Sequence, residues 1–570
     1  MNPRLLMLKL TKHSTMNRTT QISKTNGRYF LLLGNARTAL AAFSVFAPLM
    51  ACPSTASALS LFTPPHHISV NEEETSHKEA QKPSFPKMDY GAESTYAFPG
   101  CVGHGRLTRG ARAGKNIKLY KVTNLNSDGP GSFKDAISQP NRIIVFGVAG
   151  VLDLNRETYR LKDNQTILFE TAPGDGIELY NGRVSSSNAS EVIVRYMRVR
   201  MGRQYNKRDA GDAGGLSSGF NQVYDHCSFT WACDENFSIS SDNKGIRPHN
   251  ITLQNSIIGQ GVMNHSAGGL VQTNDQEGIT VYRNLFIDNG TRNLKVKGLN
   301  QFVNNVIYNW NTGAYIMGGG SNVHSSTIIE NNYFITGPCW VWRNTPAAKV
   351  DPSIKDNRSV CIPSGNEGLY YTVLKKESPS KAFTRGNDNF DAYFKGNYYD
   401  DNTDGTLNGV ELTESNWGNY HDFRINFLDT PSPLHPDIKP MNAREAYKWI
   451  VAHGGASLPA RDHVDQFMID ELKSLGKKGT ILRDTHDSTQ YPIANTWQQI
   501  DTTNNITDTD GDGMPDEWED KWGLDKHDPS DAPDVANNGY TNIENYAFSL
   551  EYPEEYEAAY QKMLQPTSAE

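Results

Sequence analysis

Short alternating runs of apolar and polar residues repeat along the middle of the chain, from about Asn221 to Asn332. The clearest copies are NQVYDHCSFTW, NITLQNSIIGQG, GITVYRNLFIDNG, NQFVNNVIYNW and STIIENNYFITG. Their alternating β-branched and aromatic residues predict strands rather than helices. Recurrence at intervals of roughly 20 to 30 residues is typical of a solenoid in which each repeat forms one coil. The pattern therefore predicts a β-helix, with a β-sandwich as the alternative.

Asparagines recur near the middle of these repeats, at Asn255, Asn284, Asn305 and Asn332. A side-chain amide both donates and accepts hydrogen bonds, so stacked asparagines can bond to the copies above and below them. We therefore predict an asparagine ladder at a sharp bend of each coil. The pair Asp225-His226 is assigned to the same ladder of turns rather than to catalysis. Ordinary asparagine-containing turns are the alternative.

The β-helix accounts for only part of the chain, and local composition predicts further segments on either side of it. An apolar stretch, Thr38 to Met50, is too short to span a bilayer and fits an export signal. It meets Cys52, which a lipoprotein pathway would lipidate, and then Ala56-Ser57-Ala58, an ordinary cleavage site. We expect a secreted protein or an outer-membrane lipoprotein of a bacterium, with a membrane contact only through Cys52.

The predicted segments are a signal (1–58), a linker (59–90), a β-helix domain with an N-terminal cap (91–435), a helical segment packed on it (436–500), a calcium-binding tail module (501–550) and a terminal tail (551–570).

Charge and cysteine content narrow the class of protein. The 570 residues carry a net charge of −9, which argues against a nucleic-acid binder. Six cysteines are present, without a CxxC pair, so a zinc or redox site is not expected. In an oxidising compartment we predict disulfides Cys227–Cys233 and Cys339–Cys361, which leaves Cys101 over. We expect a monomer.

One strand pattern is rich in arginine. In EVIVRYMRVRMGR, apolar residues alternate with Arg195, Arg198, Arg200 and Arg203. Arginine pairs carboxylates in a bidentate manner, so these residues, Arg200 among them, are predicted to bind an anionic polymer. A solvated strand face is the alternative.

Several stretches resemble bacterial pectate lyases. They are AFPGCVGHG, YKVTNLNSDGPGSFKDAI and RIIVFGVAGVLDL near the start, QTILFETAPGDGIEL in the next coils, and NGTRNLKVKG further on. The resemblance implies an all-β, right-handed parallel β-helix. It also implies calcium-dependent cleavage of an acidic polysaccharide, polygalacturonate, by β-elimination, which yields 4,5-unsaturated oligogalacturonides.

The resemblance also implies residue roles. In the family's RNPRVKGG motif the first arginine is the base, which falls on Arg292, and Lys297 falls on a residue that binds the substrate carboxylate. The motif's proline and second arginine are Leu294 and Lys295 here. Other implied site residues are His265 and Lys295 for substrate and Asp212, Asp234 and Glu235 for a catalytic Ca²⁺.

A second calcium site is predicted near the C-terminus. The stretch DTDGDGMPDEWE has alternating aspartates, a turn glycine at Gly513 and a closing glutamate, which is the spacing of an EF-hand loop. We predict that this site is structural and distant from catalysis. Its expected ligands are Asp508, Asp510, Asp512, Asp516 and Glu519.

These residue types suit β-elimination because the C5 proton of a uronate is very weakly acidic. A cation on the uronate carboxylate stabilises the developing charge, and a base removes the proton. Arginine could serve as that base if crowding and desolvation lower its pKa, which predicts activity that rises with pH. The alternatives are a lyase for alginate or esterified pectin, a glycoside hydrolase and a non-catalytic carbohydrate-binding β-helix. The hydrolase requires a carboxylate pair, and none is evident near Arg292.

Overall fold

A computed structural model describes residues 83–87, 95–202, 211–262, 265–310, 313–318, 321–338, 358–360, 373–375, 382–419, 424–482, 484–486, 488 and 491–565. The predicted export signal, Cys52 and the predicted Cys339–Cys361 disulfide lie outside these residues. Among the described residues, no helix combines the length and apolar character needed to cross a membrane.

Within the described residues, nearly all strands belong to three long sheets, here called A, B and C. Sheet A contains β1 (Lys118–Val122), β2 (Arg142–Phe146), β5 (Gln165–Leu168), β8 (Ala189–Arg195), β11 (Gly219–Asp225), β14 (His249–Gln254), β17 (Ile279–Tyr282), β20 (Leu299–Val303), β23 (Ser325–Glu330), β28 (Phe390–Lys395) and β31 (Asn426–Leu428). Sheet B contains β3 (Gly150–Asp153), β6 (Ile177–Tyr180), β9 (Arg198–Arg200), β12 (Ser228–Thr230), β15 (Ile257–Gly259), β18 (Leu285–Ile287), β21 (Val306–Tyr308), β24 (Tyr333–Ile335), β29 (Asn397–Asp400) and β30 (Val410–Leu412). Sheet C contains β4 (Thr158–Arg160), β7 (Arg183–Ser185), β10 (Gly214–Leu216), β13 (Glu235–Ser240), β16 (Ala267–Gln272), β19 (Lys295–Lys297), β22 (Tyr315–Met317) and β27 (Phe383–Thr384).

Helices lie mainly at the two ends of the described chain. The short helices near the start are η1 (Gly110–Ala113), α1 (Phe133–Ala136) and η2 (Phe169–Thr171). The later helices are η3 (Glu414–Asn419), α2 (Ala443–His453), α3 (His463–Lys473), α4 (Asp516–Trp522), α5 (Asn542–Glu551) and α6 (Pro553–Met563). A separate hairpin joins β25 (Arg358–Val360) to β26 (Val373–Lys375).

Most coils give one strand to each sheet, and successive coils pair in parallel, apart from the antiparallel pair β29 and β30 at the end of sheet B. In sheet A the register aligns Val194 with Tyr224, Leu253, Val281 and Phe302. All five side chains point into one continuous core and are almost fully buried. Because like positions stack on like positions, the apolar alternation of one repeat continues into the next. The predicted right-handed parallel β-helix is confirmed.

The asparagine ladder forms, with one change of register. Asn284 Nδ2 donates to Asn305 Oδ1 at 3.1 Å, Asn305 to Asn332 at 3.1 Å, and Asn332 to Asn397 at 2.9 Å. Asn255 stands one position too early, because Ser256 is the residue that contacts Asn284. Asn255 instead donates to Asp225 at 2.8 Å.

The C-terminal segments cover two faces of the β-helix. Helices α2 and α3 pack on the outside of sheet B, where Ile450, Met468 and Leu472 share a buried cluster with Leu285 and Tyr308. Residues 508–565, here called the tail segment, pack on the first strands of sheet A. There Met514 and Ile543 join a cluster that contains Val145 and Val223.

The predicted Cys227–Cys233 disulfide is wrong. Cys227 is fully buried in the β-helix core, and its Sγ lies 3.4 Å from the Asp225 carbonyl oxygen. Cys233 follows β12 at a partly exposed position, and the two sulfurs do not form a disulfide. Proximity in sequence misled the prediction, because strand β12 separates the two cysteines along the chain. Cys101 is a buried thiol.

Replacement of Asn305 by Asp tests the ladder. The substitution keeps the shape of the side chain but removes the amide that donates to Val281, Val303 and Asn332. Because the site is fully buried, we expect a loss of about 2 kcal/mol or more in the free energy of unfolding, measured in urea. Asn416→Asp removes a comparable bond to the Glu411 carbonyl at an exposed site and should change stability much less. Equal effects would contradict a special role for the ladder.

Candidate active site

The parallel register of sheet C brings distant residues into one row. Asp212 lies two residues before β10, and the N–H of the next residue, Ala213, donates to the Glu235 carbonyl oxygen at 3.2 Å. Glu235 pairs with Ala267 of the next coil, which bridges to Thr291 of the coil after it. Asp212 and Glu235 therefore lie on adjacent rungs, and Arg292 lies two rungs beyond Glu235.

Arg292 faces the acidic residues of this row. Its Nη1 forms an ion pair with Glu235 Oε1, and its side chain is 25% exposed. Burial lowers the pKa of Arg292, and the charge of Arg385 acts in the same direction, whereas Asp234 and Asp212 oppose it. Its backbone has a left-handed φ of 55°, which is unfavourable for a residue with a side chain and is often found at functional sites.

Three carboxylates and a histidine converge beside this arginine. His265 Nε2 lies 3.2 Å from Asp234 Oδ1 and 3.9 Å from Glu235 Oε1. One ligand atom each from Asp234, Glu235 and His265 lies within 4.8 Å of the other two. Asp212 accepts from the Glu235 N–H at 3.3 Å, and burial raises its pKa to about 6.

This donor set fits a hard cation. Ca²⁺ prefers carboxylate oxygens, and Asp212, Asp234 and Glu235 supply them from two adjacent coils. Such a cluster is unfavourable unless positive charge neutralises it. In the structure Arg292 provides positive charge through its ion pair with Glu235.

Two lysines extend the positive surface. Lys295 and Lys297 lie on β19 at partly exposed positions, while Val296 between them is buried in the core. Burial and the charges of Arg292, Arg385 and Lys297 lower the pKa of Lys295. Leu294 is buried in the core of the β-helix.

Two further arginines were missed by the sequence analysis. The charge of Arg385, directly after β27, acts on Arg292 and Lys295. Arg183 begins β7, and its charge lowers the pKa of Asp212 against the larger effect of burial. No local motif marks either residue. The signal that could have found them is the stacking register of sheet C, which places β7 and β27 on the sheet that carries β13 and β19.

The prediction that Arg200 binds substrate is wrong. Its side chain is fully buried beneath α3, where it bonds to Asp462 and lies 2.9 Å from Asp465. Arg195 pairs with Glu170, Asp225 and Glu551 and is also fully buried. Arg195 and Arg200 therefore bind carboxylates of the protein itself, and Arg203 lies outside the described residues.

The tail loop collects most of its predicted ligands. Asp508, Asp510 and Asp512 form one group of converging oxygens, and Asp512, Glu519 and Asp531 form a second. Asp516 does not belong to either group, because its carboxylate accepts from the Thr509 N–H and hydroxyl, each at 2.7 Å. Asp531 was missed because it lies beyond the loop pattern.

A second loop with calcium-loop spacing also escaped the sequence analysis. It runs from Asp400 through Asn402 and Asp404 to Glu411, with Gly405 at the turn. The Asn408 N–H donates to Asp400 Oδ2 at 3.2 Å, and its amide donates to Asp404 Oδ2 at 2.9 Å. The spacing alone could have identified this turn between β29 and β30.

Together the three stacked parallel sheets and the row of acidic and basic side chains define a parallel β-helix protein with a charged site on one sheet. No family profile matches the chain. Its sequence is 40% identical over 459 residues to a "Probable pectate lyase C" of Aspergillus flavus, covering 80% of this chain and 94% of that protein. A "Probable pectate lyase C" of Emericella nidulans is 39% identical over 466 residues, covering 81% and 94%. The chain belongs to the pectate lyase family. These relatives are fungal, so the bacterial part of the predicted resemblance has no support from them.

Solved structures with some similarity include the cedar pollen allergen Jun a 1. It is 16% identical with a TM-score of 0.40, covering 62% of this chain and 92% of that one. A pectate lyase from Bacillus sp. N165 in complex with trigalacturonate is 14% identical with a TM-score of 0.38, covering 62% and 98%.

Replacement of Arg200 by Met tests its structural assignment. The change leaves Asp462 and Asp465 buried without their partner, so we expect a loss of about 3–5 kcal/mol in the free energy of unfolding. The control is Arg247→Met, which breaks a pair with Glu277 at a side chain that is 41% exposed. That control should cost about 1 kcal/mol or less. Unchanged stability of Arg200→Met in urea unfolding would contradict the assignment.

Proposed function

We propose that the protein is a secreted, calcium-dependent pectate lyase that cleaves polygalacturonate by β-elimination. The observation that carries the proposal is the position of Arg292, which faces Asp212, Asp234 and Glu235 and has Lys295 and Lys297 on the same sheet. A carboxylated polymer needs positive charge along its path, and this site supplies it in a protein of net charge −9. The pectate lyase names of the relatives support the same activity.

In the proposed reaction the neutral guanidine of Arg292 accepts the C5 proton of a galacturonate unit. The electron pair of that C–H bond forms the C4–C5 double bond, and the C4–O bond breaks. The departing oxygen takes a proton from water, and the Arg292 guanidinium returns its proton to the solvent, so the products are a new chain end and a 4,5-unsaturated uronate. Lys295, Lys297 and Arg385 bind the carboxylates of the polymer and hold the C5 atom near Arg292.

Asp212, Asp234 and Glu235 would hold the Ca²⁺. When bound, the ion draws charge from the uronate carboxylate and stabilises the charge that develops as the proton leaves. With Glu235 engaged in this way, Arg292 loses its carboxylate partner, which favours the neutral guanidine. His265 orients Asp234 through the 3.2 Å contact and faces the substrate with a side chain that is 43% exposed.

Replacement of Arg292 by Lys tests its role as the base. A lysine keeps the positive charge but moves the basic atom, so we expect the turnover rate to fall about a hundredfold to ten-thousandfold. The assay follows the ultraviolet absorbance of unsaturated uronate from polygalacturonate with Ca²⁺, with EDTA as a control for the metal. Arg247→Lys, at the exposed pair with Glu277, is the matched control and should retain activity.

The same assay separates this proposal from its alternatives. Product from alginate or esterified pectin but not from polygalacturonate would show that the substrate is that other polymer. Absence of product from all three polymers, with wild-type folding, would leave a carbohydrate-binding protein. Wild-type rates for Arg292→Lys would reject Arg292 as the base.

The pH dependence of the rate gives a separate test. Only neutral Arg292 can accept the proton, and its neutral fraction grows as the pH rises toward its pKa. Because burial lowers that pKa, the rise should begin at lower pH than for an exposed arginine. We expect initial rates at saturating Ca²⁺ to increase from about pH 7 to about pH 10. A falling rate, at pH values where the melting temperature is unchanged, would contradict the role of Arg292.

A further inference from the structure

The tail segment contains carboxylates that are buried without hydrogen-bond partners. Glu519 and Asp512 are 0% and 1% exposed. Both oxygens of Glu519, and one oxygen each of Asp510, Asp512 and Asp531, are buried and have no hydrogen-bond partner. A buried carboxylate without a partner is strongly unfavourable, so a group of four in one place requires a positive charge among them.

Their oxygens form two groups that share one residue. Asp508, Asp510 and Asp512 have ligand atoms within 4.8 Å of one another, and so do Asp512, Glu519 and Asp531. Asp512 belongs to both groups and therefore joins them. Among the described residues, Lys121 is the cation that forms an ion pair with this cluster, and it contacts only Asp508. The other four carboxylates form no ion pair with a cation among the described residues.

We propose that these five carboxylates form a calcium site that fixes the tail segment to the first coils of the β-helix. An all-oxygen set of carboxylates is what Ca²⁺ prefers, and Mg²⁺ demands a stricter octahedron with several waters. The proposed ligand set contains Asp531 in place of Asp516, the residue that EF-hand spacing predicts. Asp516 is committed to Thr509, whereas Asp531 Oδ1 is buried toward the cluster without a partner.

The loop that carries the ligands also contacts the β-helix directly. Gly513 has a left-handed φ of 100°, and a Cβ at that position would lie 2.7 Å from Val145 Cγ2 on β2. Asp508 is paired with Lys121 on β1. Helix α4 follows immediately, and its Trp522 packs with Phe85 at 4.7 Å between ring centroids. An ion that orders the loop therefore also orders the contact between the tail segment and strands β1 and β2.

Calorimetric titration of the full protein tests the site after Ca²⁺ has been removed with EDTA. We expect Glu519→Gln and Asp531→Asn each to weaken one class of Ca²⁺ binding by roughly tenfold or more. Asp516→Asn is the matched control from the same loop and should bind as the wild type does. Terbium luminescence sensitised by Trp518 and Trp522 should follow the same order, because both indoles lie on the helix that carries Glu519.

Thermal unfolding distinguishes loss of a ligand from failure to fold. With Ca²⁺ the wild type should melt several degrees above its EDTA form, and the two ligand variants should lose this difference. In EDTA the ligand variants should melt at or above the wild-type temperature, because each removes one repelling charge. Protease cleavage within residues 508–565 should accelerate in EDTA for the wild type only.

Three results would overturn the proposal. Wild-type Ca²⁺ affinity in both Glu519→Gln and Asp531→Asn would remove the site. If Asp516→Asn lost as much Ca²⁺ affinity as Asp531→Asn, Asp516 would be a ligand, as the EF-hand spacing predicts. Calcium-independent melting of the wild type would remove the role in fixing the tail segment. Lyase activity does not enter these readouts, so they are independent of the proposed function.

Discussion

The hydrogen-bonded register between successive coils is the constraint on which the remaining structure depends. The asparagine ladder shows how strictly it is kept. Asn284, Asn305, Asn332 and Asn397 contact one another in turn although they are separated by 21, 27 and 65 residues. The contact persists even across the 65-residue interval, which brings Asn397 onto the rung after Asn332. The charged row on sheet C is built by this register, because Asp212, Glu235 and Arg292 come from three different coils.

Local sequence patterns predicted the features that depend on residues close together in the sequence. Alternating apolar residues identified the coils, and most ladder positions were found from asparagine alone. Asn255 shows the limit of this approach. Successive side chains in a strand point to opposite faces. Asn255 stands one position before the ladder position, so Ser256 makes the contact with Asn284 instead.

Long-range packing determined what the sequence could not predict. Arg200 looked available because its strand alternates, but its partners Asp462 and Asp465 lie 262 and 265 residues further along the chain, at the start of a helix that covers sheet B. Asp531 and Arg385 were missed for the same reason, since neither belongs to a local motif. The overall net charge of −9 was uninformative about the site, because the acidic and basic residues are sorted by burial and sheet rather than by sequence.

The contact between the two ends of the described chain has a consequence for the order of assembly. Phe85 stacks on Trp518 with 5.6 Å between ring centroids, and the Phe85 N–H donates to Asn537, 452 residues later. The outer face of the earliest strands is therefore closed by the residues that are synthesised last. While the middle coils can stack on one another as soon as they are made, the first coils keep an apolar surface open until synthesis is nearly complete. Such sequence-distant contacts slow folding and leave that surface exposed to aggregation in the meantime.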